Sequence, residues 1–289
     1  MAKYKIGVLF LTCLSVAISL SLGAPKLQAQ TFLTIDVPNS IETDCNDINS
    51  AGTIVGTYTD NSGLTHAFQW SNGHIGTVNS AYQTLAYGIN DSNQIVGWYV
   101  DNLGTTHGYL YSGPGKMSRI DPPNSILTDA WSINKTGEIV GAYVDGTNGV
   151  YHGFTLLNGK YTSYDAPNGA ILTEFTGIND KGQMVGIFDD SSGVEHGFSL
   201  NGTGFTQIDY PGSTVTASDR ITNAGEVVGL WGTSTSGPFT GYSLQAKTFT
   251  AITYPGSTET RSRGVNNAGV IVGRYTDTNG VIHGYRDTP

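Results

Sequence analysis

Thr53-Ile54-Val55-Gly56 is the stretch on which the fold turns, because the chain writes it six times. The later copies are Gln94-Ile95-Val96-Gly97, Glu138-Ile139-Val140-Gly141, Gln183-Met184-Val185-Gly186, Glu226-Val227-Val228-Gly229 and Val270-Ile271-Val272-Gly273. Their glycines lie 41, 44, 45, 43 and 44 residues apart, a period that marks stacked or ring-closed repeats. Before each core comes a short piece ending in Ile-Asn, as at Ile48-Asn49, Ile89-Asn90, Ile133-Asn134 and Ile178-Asn179. The turn between them is rich in Asn, Asp and Gly, which tolerate left-handed backbone. After the core come an aromatic residue, usually an aspartate, a second glycine turn, and His-Gly-Phe or a close variant. A fourth piece, such as Phe205-Thr206-Gln207-Ile208-Asp209, ends in a proline loop. Short runs of Val, Ile, Tyr, Phe and Thr between such turns read as strands. No segment beyond residue 29 has a sustained helical period.

Four strands per repeat predict an all-β, six-bladed β-propeller with four antiparallel strands in each blade. Six repeats of about 44 residues fill residues 30–289 and leave nothing for a second domain. A linear solenoid is the competing reading, and the two ends decide against it. Phe32-Leu33-Thr34-Ile35-Asp36 is a fourth-type strand without its first three, and His283-Gly284-Tyr285 is a third-type strand without its fourth. The N-terminal strand is therefore expected to complete the last blade, which removes an open sheet edge. A solenoid would carry polar caps at both ends instead.

Composition narrows the function classes. Charged residues make up 13% of the chain against a usual ~25%, and 39 glycines fit a turn-dense β protein. The net charge of −9 argues against nucleic acid bound through its phosphates. Lys3 and Lys5 precede an apolar run from Ile6 to Leu22, and Ala29 offers a small residue for cleavage, so residues 1–29 read as a secretory signal peptide. The expected product is secreted, extracellular or periplasmic. It keeps 11 bases against 23 acids, and Cys45 as its one cysteine, too few for an intrachain disulfide. No other apolar stretch is long enough to span a bilayer, and a monomer is expected.

The frame Ile-Asn-x-x-Gly-x-Ile-Val-Gly-x-Tyr-x-Asp, followed by Gly-x-x-His-[Gly/Ala]-[Phe/Tyr], resembles the bacterial extracellular HAF-repeat family at His66-Ala67-Phe68. The fifth copy departs at Thr222, Thr233 and Thr240, and the second at Asn93. The resemblance implies a secreted repeat protein and supplies no catalytic residue.

Five of six histidines share one repeat position (His66, His107, His152, His196 and His283), and Asp60, Asp101, Asp145, Asp190 and Asp277 share another. Both are ligand types, yet equivalent positions in different blades are spread around a ring and cannot converge on one ion. Each histidine is expected to bond its own hairpin aspartate as a strut, a contact of roughly 0.5–1.5 kcal/mol. Asp60-Asn61-Ser62-Gly63 offers too few acidic oxygens for calcium and reads as a turn. No metal and no cofactor are expected.

The variable residues point to the channel mouth. Each first strand opens on a shared threonine: Thr43, Thr84, Thr128, Thr173, Thr216 and Thr260. One residue on stand Asp44, Leu85, Asp129, Glu174, Ala217 and Arg261; three on stand Asn46, Tyr87, Trp131, Thr176, Asp219 and Arg263. First strands line a propeller's channel, so Asp44, Asn46, Tyr87, Asp129, Trp131, Glu174, Asp219, Arg261 and Arg263 are the candidate ligand-binding residues. Tyr87 and Trp131 would stack on sugars or peptides, and the carboxylates would accept hydrogen bonds, giving a recognition or scaffold protein for a glycan or an extracellular protein. The alternative is a polysaccharide hydrolase or lyase, with Asp129 and Glu174 as the carboxyl pair that glycoside hydrolysis requires. No nucleophile elbow, zinc motif, phosphate loop or dinucleotide fingerprint appears, which favours recognition over catalysis.

Overall fold

The computed structural model describes residues 31–78 and 83–289; the expected signal peptide lies outside them. Among the described residues, 24 strands form six four-stranded antiparallel blades. The first strands of blades 1 to 6 are Ser40–Ile48, Thr84–Ile89, Ser125–Ile133, Leu172–Ile178, Val215–Ile221 and Glu259–Val265. Each packs on the first strand of the next blade, and blade 6 returns to blade 1, so they ring a central axis. The protein is a six-bladed β-propeller.

Closure follows the expected route. Thr31–Ile35 pairs antiparallel with Ile282–Thr288, in register from Thr31 opposite Thr288 to Ile35 opposite Gly284. The Thr34 hydroxyl bonds the Tyr254 and Tyr275 hydroxyls at 2.7 and 3.0 Å, and His283 Nδ1 lies 3.0 Å from Asp36 Oδ1. The N-terminal strand is thus the fourth strand of blade 6.

The core lies between blades. In a strand, successive side chains point to opposite faces. Ile54 accordingly packs with Phe68 and with Val272 of blade 6, while Val55 packs with Ala86, Ile89 and Tyr109 of blade 2. The unbroken Ile-Val run is a strand covered on both faces. Its glycine has a local cause: a Cβ on Gly56 would stand 2.0 Å from the Asp44 carbonyl oxygen and 2.8 Å from the Phe68 ring. The crowding atoms belong to the same blade, not the neighbouring one.

The Ile-Asn repeat holds blade to blade. Asn49 Oδ1 accepts from Ala51 and Thr53 backbone N–H groups, while its Nδ2 donates to the Asn90 carbonyl at 3.3 Å. Asn90, Asn134, Asn179 and Asn266 donate likewise to the next blade at 2.9–3.3 Å. Thr222 caps only its own turn, accepting from Glu226 N. The shared threonines pin the preceding loop: Thr43, Thr173, Thr216 and Thr260 accept backbone N–H groups of Val37, Ala166, Tyr210 and Tyr254.

Candidate functional site

The site begins with a defect repeated in all six first strands. The ladder to the second strand slips between Cys45 and Asp47, Ala86 and Gly88, Ala130 and Ser132, Phe175 and Gly177, Ser218 and Arg220, and Ser262 and Gly264. Each slip is a β-bulge, which re-aims a side chain. The residues within the slips are Asn46, Tyr87, Trp131, Thr176, Asp219 and Arg263, one from each blade.

The next position alternates. Gly88, Gly177 and Gly264 stand in blades 2, 4 and 6; Asp47, Ser132 and Arg220 stand in blades 1, 3 and 5. A Cβ on Gly88 would lie 2.8 Å from Ser132 Cα, on Gly177 3.0 Å from Arg220 Cα, and on Gly264 2.7 Å from Asp47 Cα. The larger residues reach the other way: Asp47 Oδ2 accepts from Ile89 N at 3.0 Å, and Ser132 Oγ from Ile178 N at 3.4 Å. Arg220 crosses the axis. Its guanidinium donates to the carbonyls of Asp219 at 2.8 Å and Trp131 at 2.9 Å, and to those of Thr176 and Tyr87, and Nε lies 3.4 Å from Asp47 Oδ1. Contacts with blades 1 to 5 make it a plug that closes the channel.

Beyond the plug, away from the Ile-Asn side, opens a cavity of about 390 Å³. Trp131, Glu174, Glu195, Asp219, Arg261 and Arg263 lie in its wall, with Ile187, Ala217 and Leu230 as apolar lining. Small Ala217 of blade 5 leaves the space between the acids of blade 4 and the arginines of blade 6. A ligand of this size fits the usual range for small-molecule sites.

The nine sequence-predicted residues divide. Glu174, Trp131, Asp219, Arg261 and Arg263 line the cavity. Asn46 commits its amide to the Ala86 carbonyl at 2.8 Å, and Tyr87 packs against Trp131 with ring centroids 4.1 Å apart, both close above the plug. Asp44 is buried with its Oδ2 3.5 Å from Arg274 Nη1. Asp129 is not in the cavity wall, but its charge adds to the burial that raises the pKa of Glu174. Asp189, Glu195 and Phe239 also line the cavity and were not legible as site residues, because they sit on second and third strands or in a loop; Arg274, outside the wall, stands opposite Arg261 on the second strand. Aligning the six copies at the second-strand position gives Thr57, Trp98, Ala142, Ile187, Leu230 and Arg274, where the lone base stands out.

Electrostatics split the mouth. Burial pushes Asp129 up to about 7 and Glu195 to about 7, the latter helped by Asp189 and Asp219. Burial, then the charges of Asp129 and Glu195, raises Glu174 to about 8. These groups carry protons into the neutral range and offer O–H donors as well as acceptors. Burial also raises Asp219, although Arg263 lies 3.5 Å away, and its Oδ2 has no hydrogen-bond partner.

The histidines lie elsewhere and act as struts. His66 Nε2 is 2.8 Å from Asp60, and His107 Nε2 is 3.3 Å from Asp101. The expected bond to the hairpin aspartate stops there: His196 and His283 lie 3.6 and 3.8 Å from Asp190 and Asp277, and His152 pairs with Asp165 rather than Asp145. The reason is that the shorter partner for most is an aspartate at the end of the fourth strand: His107 to Asp121 at 2.9 Å, His152 to Asp165 at 2.6 Å and His196 to Asp209 at 2.8 Å. That second partner was not anticipated. Asp60 Oδ1 accepts from Ser62 N and Leu64 N, which makes its loop a turn. Among the described residues, no group of three or more His, Cys, Asp or Glu is arranged to hold a metal ion.

No protein-family model matches the chain, and no curated protein matches it. Among solved structures it is similar to a lectin of Aleuria aurantia in complex with Fucα1-6GlcNAc, at 11% identity over 88% of this chain and 93% of that one, with a TM-score of 0.54. It is similar to AofleA of Arthrobotrys oligospora at 12% identity, covering 89% of this chain and 85% of that chain, with a TM-score of 0.55. A sialidase of Trypanosoma rangeli gives 0.54 at 8% identity, over 90% of this chain and 59% of its own. The resemblance to the bacterial HAF-repeat family is thereby corrected: no family model matches, and the structural likeness runs to fungal lectins. The physical reason is that the frame consists of residues a blade needs for its own geometry, a glycine under a ring and a histidine strut, so it marks architecture rather than descent. The likeness to these structures is one of fold, the six-bladed β-propeller also described for the Aleuria lectin.

Proposed function

We propose that this protein is an extracellular recognition module that binds a glycan in the cavity at the open mouth of its plugged channel. The observation that carries the reading is the cavity itself: about 390 Å³, with Trp131 in its wall above the Arg220 plug, and lined by side chains that differ from blade to blade while the scaffold repeats. Trp131 gives an aromatic face, and the protonated carboxyls of Glu174 and Glu195 suit hydroxyl groups that both donate and accept. Lectins with bound fucosides share the fold, which supports the class of ligand and not its identity. Secretion is inferred from residues 1–29.

One observation favours a second reading, polysaccharide cleavage. Glu174, held protonated beside Asp129, has the character of a general acid. A glycan array with the wild type, Trp131→Ala and Asp129→Ala separates the two. Recognition predicts saturable binding without turnover, weakened about tenfold or more by Trp131→Ala. Turnover abolished by Glu174→Gln would establish cleavage, and unchanged binding in both array variants would move the site elsewhere.

A further inference from the structure

We propose that the sugar bound at the channel mouth carries a carboxylate, received by Arg261 and Arg263 in the cavity wall, with Arg274 adding its charge from the strand opposite Arg261; this rests on the glycan-binding reading above. Arg261 and Arg274 face each other across adjacent strands of blade 6. The corresponding pairs elsewhere are Asp44–Thr57, Leu85–Trp98, Asp129–Ala142, Glu174–Ile187 and Ala217–Leu230, none of which joins two bases. Like charges directly opposed on a ladder destabilise it. Arg263, on the bulge two residues along, adds a third guanidinium to the same blade.

Their hydrogen bonding within the chain is thin. Arg263 reaches Asp219 at 3.5 Å and Arg274 reaches Asp44 at 3.5 Å, single long contacts where an arginine and a carboxylate can form two short ones. The Nε atoms of Arg263 and Arg274 are buried without a hydrogen-bond partner. Arg261 is held differently: Glu259 takes its Nε at 2.6 Å, and the Phe239 ring lies 4.5 Å beneath its guanidinium carbon. Those two contacts fix the guanidinium plane of a side chain that lines the cavity. Burial, then the positive charges of Arg274 and Arg263, keeps Arg261 below its usual pKa. A bound anion relieves that repulsion, and a planar carboxylate matches the arginine fork. Opposite, Glu174 and Glu195 meet the hydroxyls of the same sugar.

The test is titration calorimetry of the full chain with paired tetrasaccharides, one ending in a uronic acid and the other its carboxyl-reduced counterpart. Glucuronic, galacturonic and mannuronic series are used. The acidic member of at least one pair is expected to bind about tenfold more tightly. Arg261→Gln should erase the preference within the pair, and Arg261→Lys should restore only part of it, since an ammonium lacks the fork. Thermal melts of both variants separate loss of binding from loss of folding. Equal affinity within every pair overturns this inference and leaves the glycan reading standing. A preference unchanged in Arg261→Gln and Arg274→Gln overturns it too, and binding by neither member overturns both.

Discussion

Glu174 binds a proton more tightly when folded than when unfolded, because burial and its acidic neighbours raise it to about 8. A raised carboxyl contributes stability that is complete below the unfolded pKa, roughly 4.3, and is lost as pH climbs through the folded value. Asp129 and Glu195, at about 7, behave alike. The hairpin aspartates do the reverse. Turn N–H and hydroxyl groups and the strut histidines hold Asp60, Asp101, Asp145, Asp190 and Asp277 below their usual range, Asp190 at about 2. Their stabilisation is lost as pH falls from about 4. Melting temperature should therefore peak near pH 5–6 and decline by pH 9. Glu174→Gln should flatten the alkaline decline, adding about 1–2 kcal/mol at pH 9, and thermal melts across pH 3–9 read both limbs. At this scale the sequence disclosed Glu174 and Asp129 through their divergence at a repeated position. Their protonation was hidden, since it depends on burial and, for Glu174, on Asp129 and on Glu195, which lies on another strand.

Strand elements show where pattern reading stops. Apolar content and turn spacing reveal each strand, but a bulge inserts a residue without altering either. The slip at Trp131 or Arg263 therefore could not be read from the sequence, although it decides which side chains meet on the axis. Its trace is the repeated glycine opposite. On Gly141 a Cβ would meet the Asp129 carbonyl oxygen at 2.0 Å and the Phe154 ring at 2.8 Å, both within its own blade. Gly141→Ala should cost about 3 kcal/mol or more in urea unfolding, whereas Gly149→Ala, in open turn space with φ of 72°, should cost less. Equal losses would refute the close-approach account.

For the whole molecule, the fold was legible because the two ends complement each other, and that complement is a testable joint. Removing residues 31–39 deletes the strand paired with Ile282–Thr288 and the Thr34 contacts to Tyr254 and Tyr275. The shortened protein should expose a sheet edge and aggregate. A soluble product of undiminished melting temperature would count against closure as a source of stability. The place of Arg220 on the axis could not be read from the sequence. Its reach across the axis depends on five blades at once, and no single repeat contains that information. Arg220→Ala should lose about 3–5 kcal/mol in urea unfolding, since it strips buried carbonyls and Asp47 of their shared partner.

The alternation of Gly88, Gly177 and Gly264 with Asp47, Ser132 and Arg220 gives the ring a parity. Close junctions take turns with junctions whose larger residue reaches onward (Asp47 and Ser132) or into the axis (Arg220), so the propeller is three couples of blades as well as six single ones. Inserting or excising one blade would bring two glycines together, or two bulky neighbours, somewhere on the circuit. Copies of the closure can be moved to another junction, but the module in which this architecture can grow or shrink is the couple.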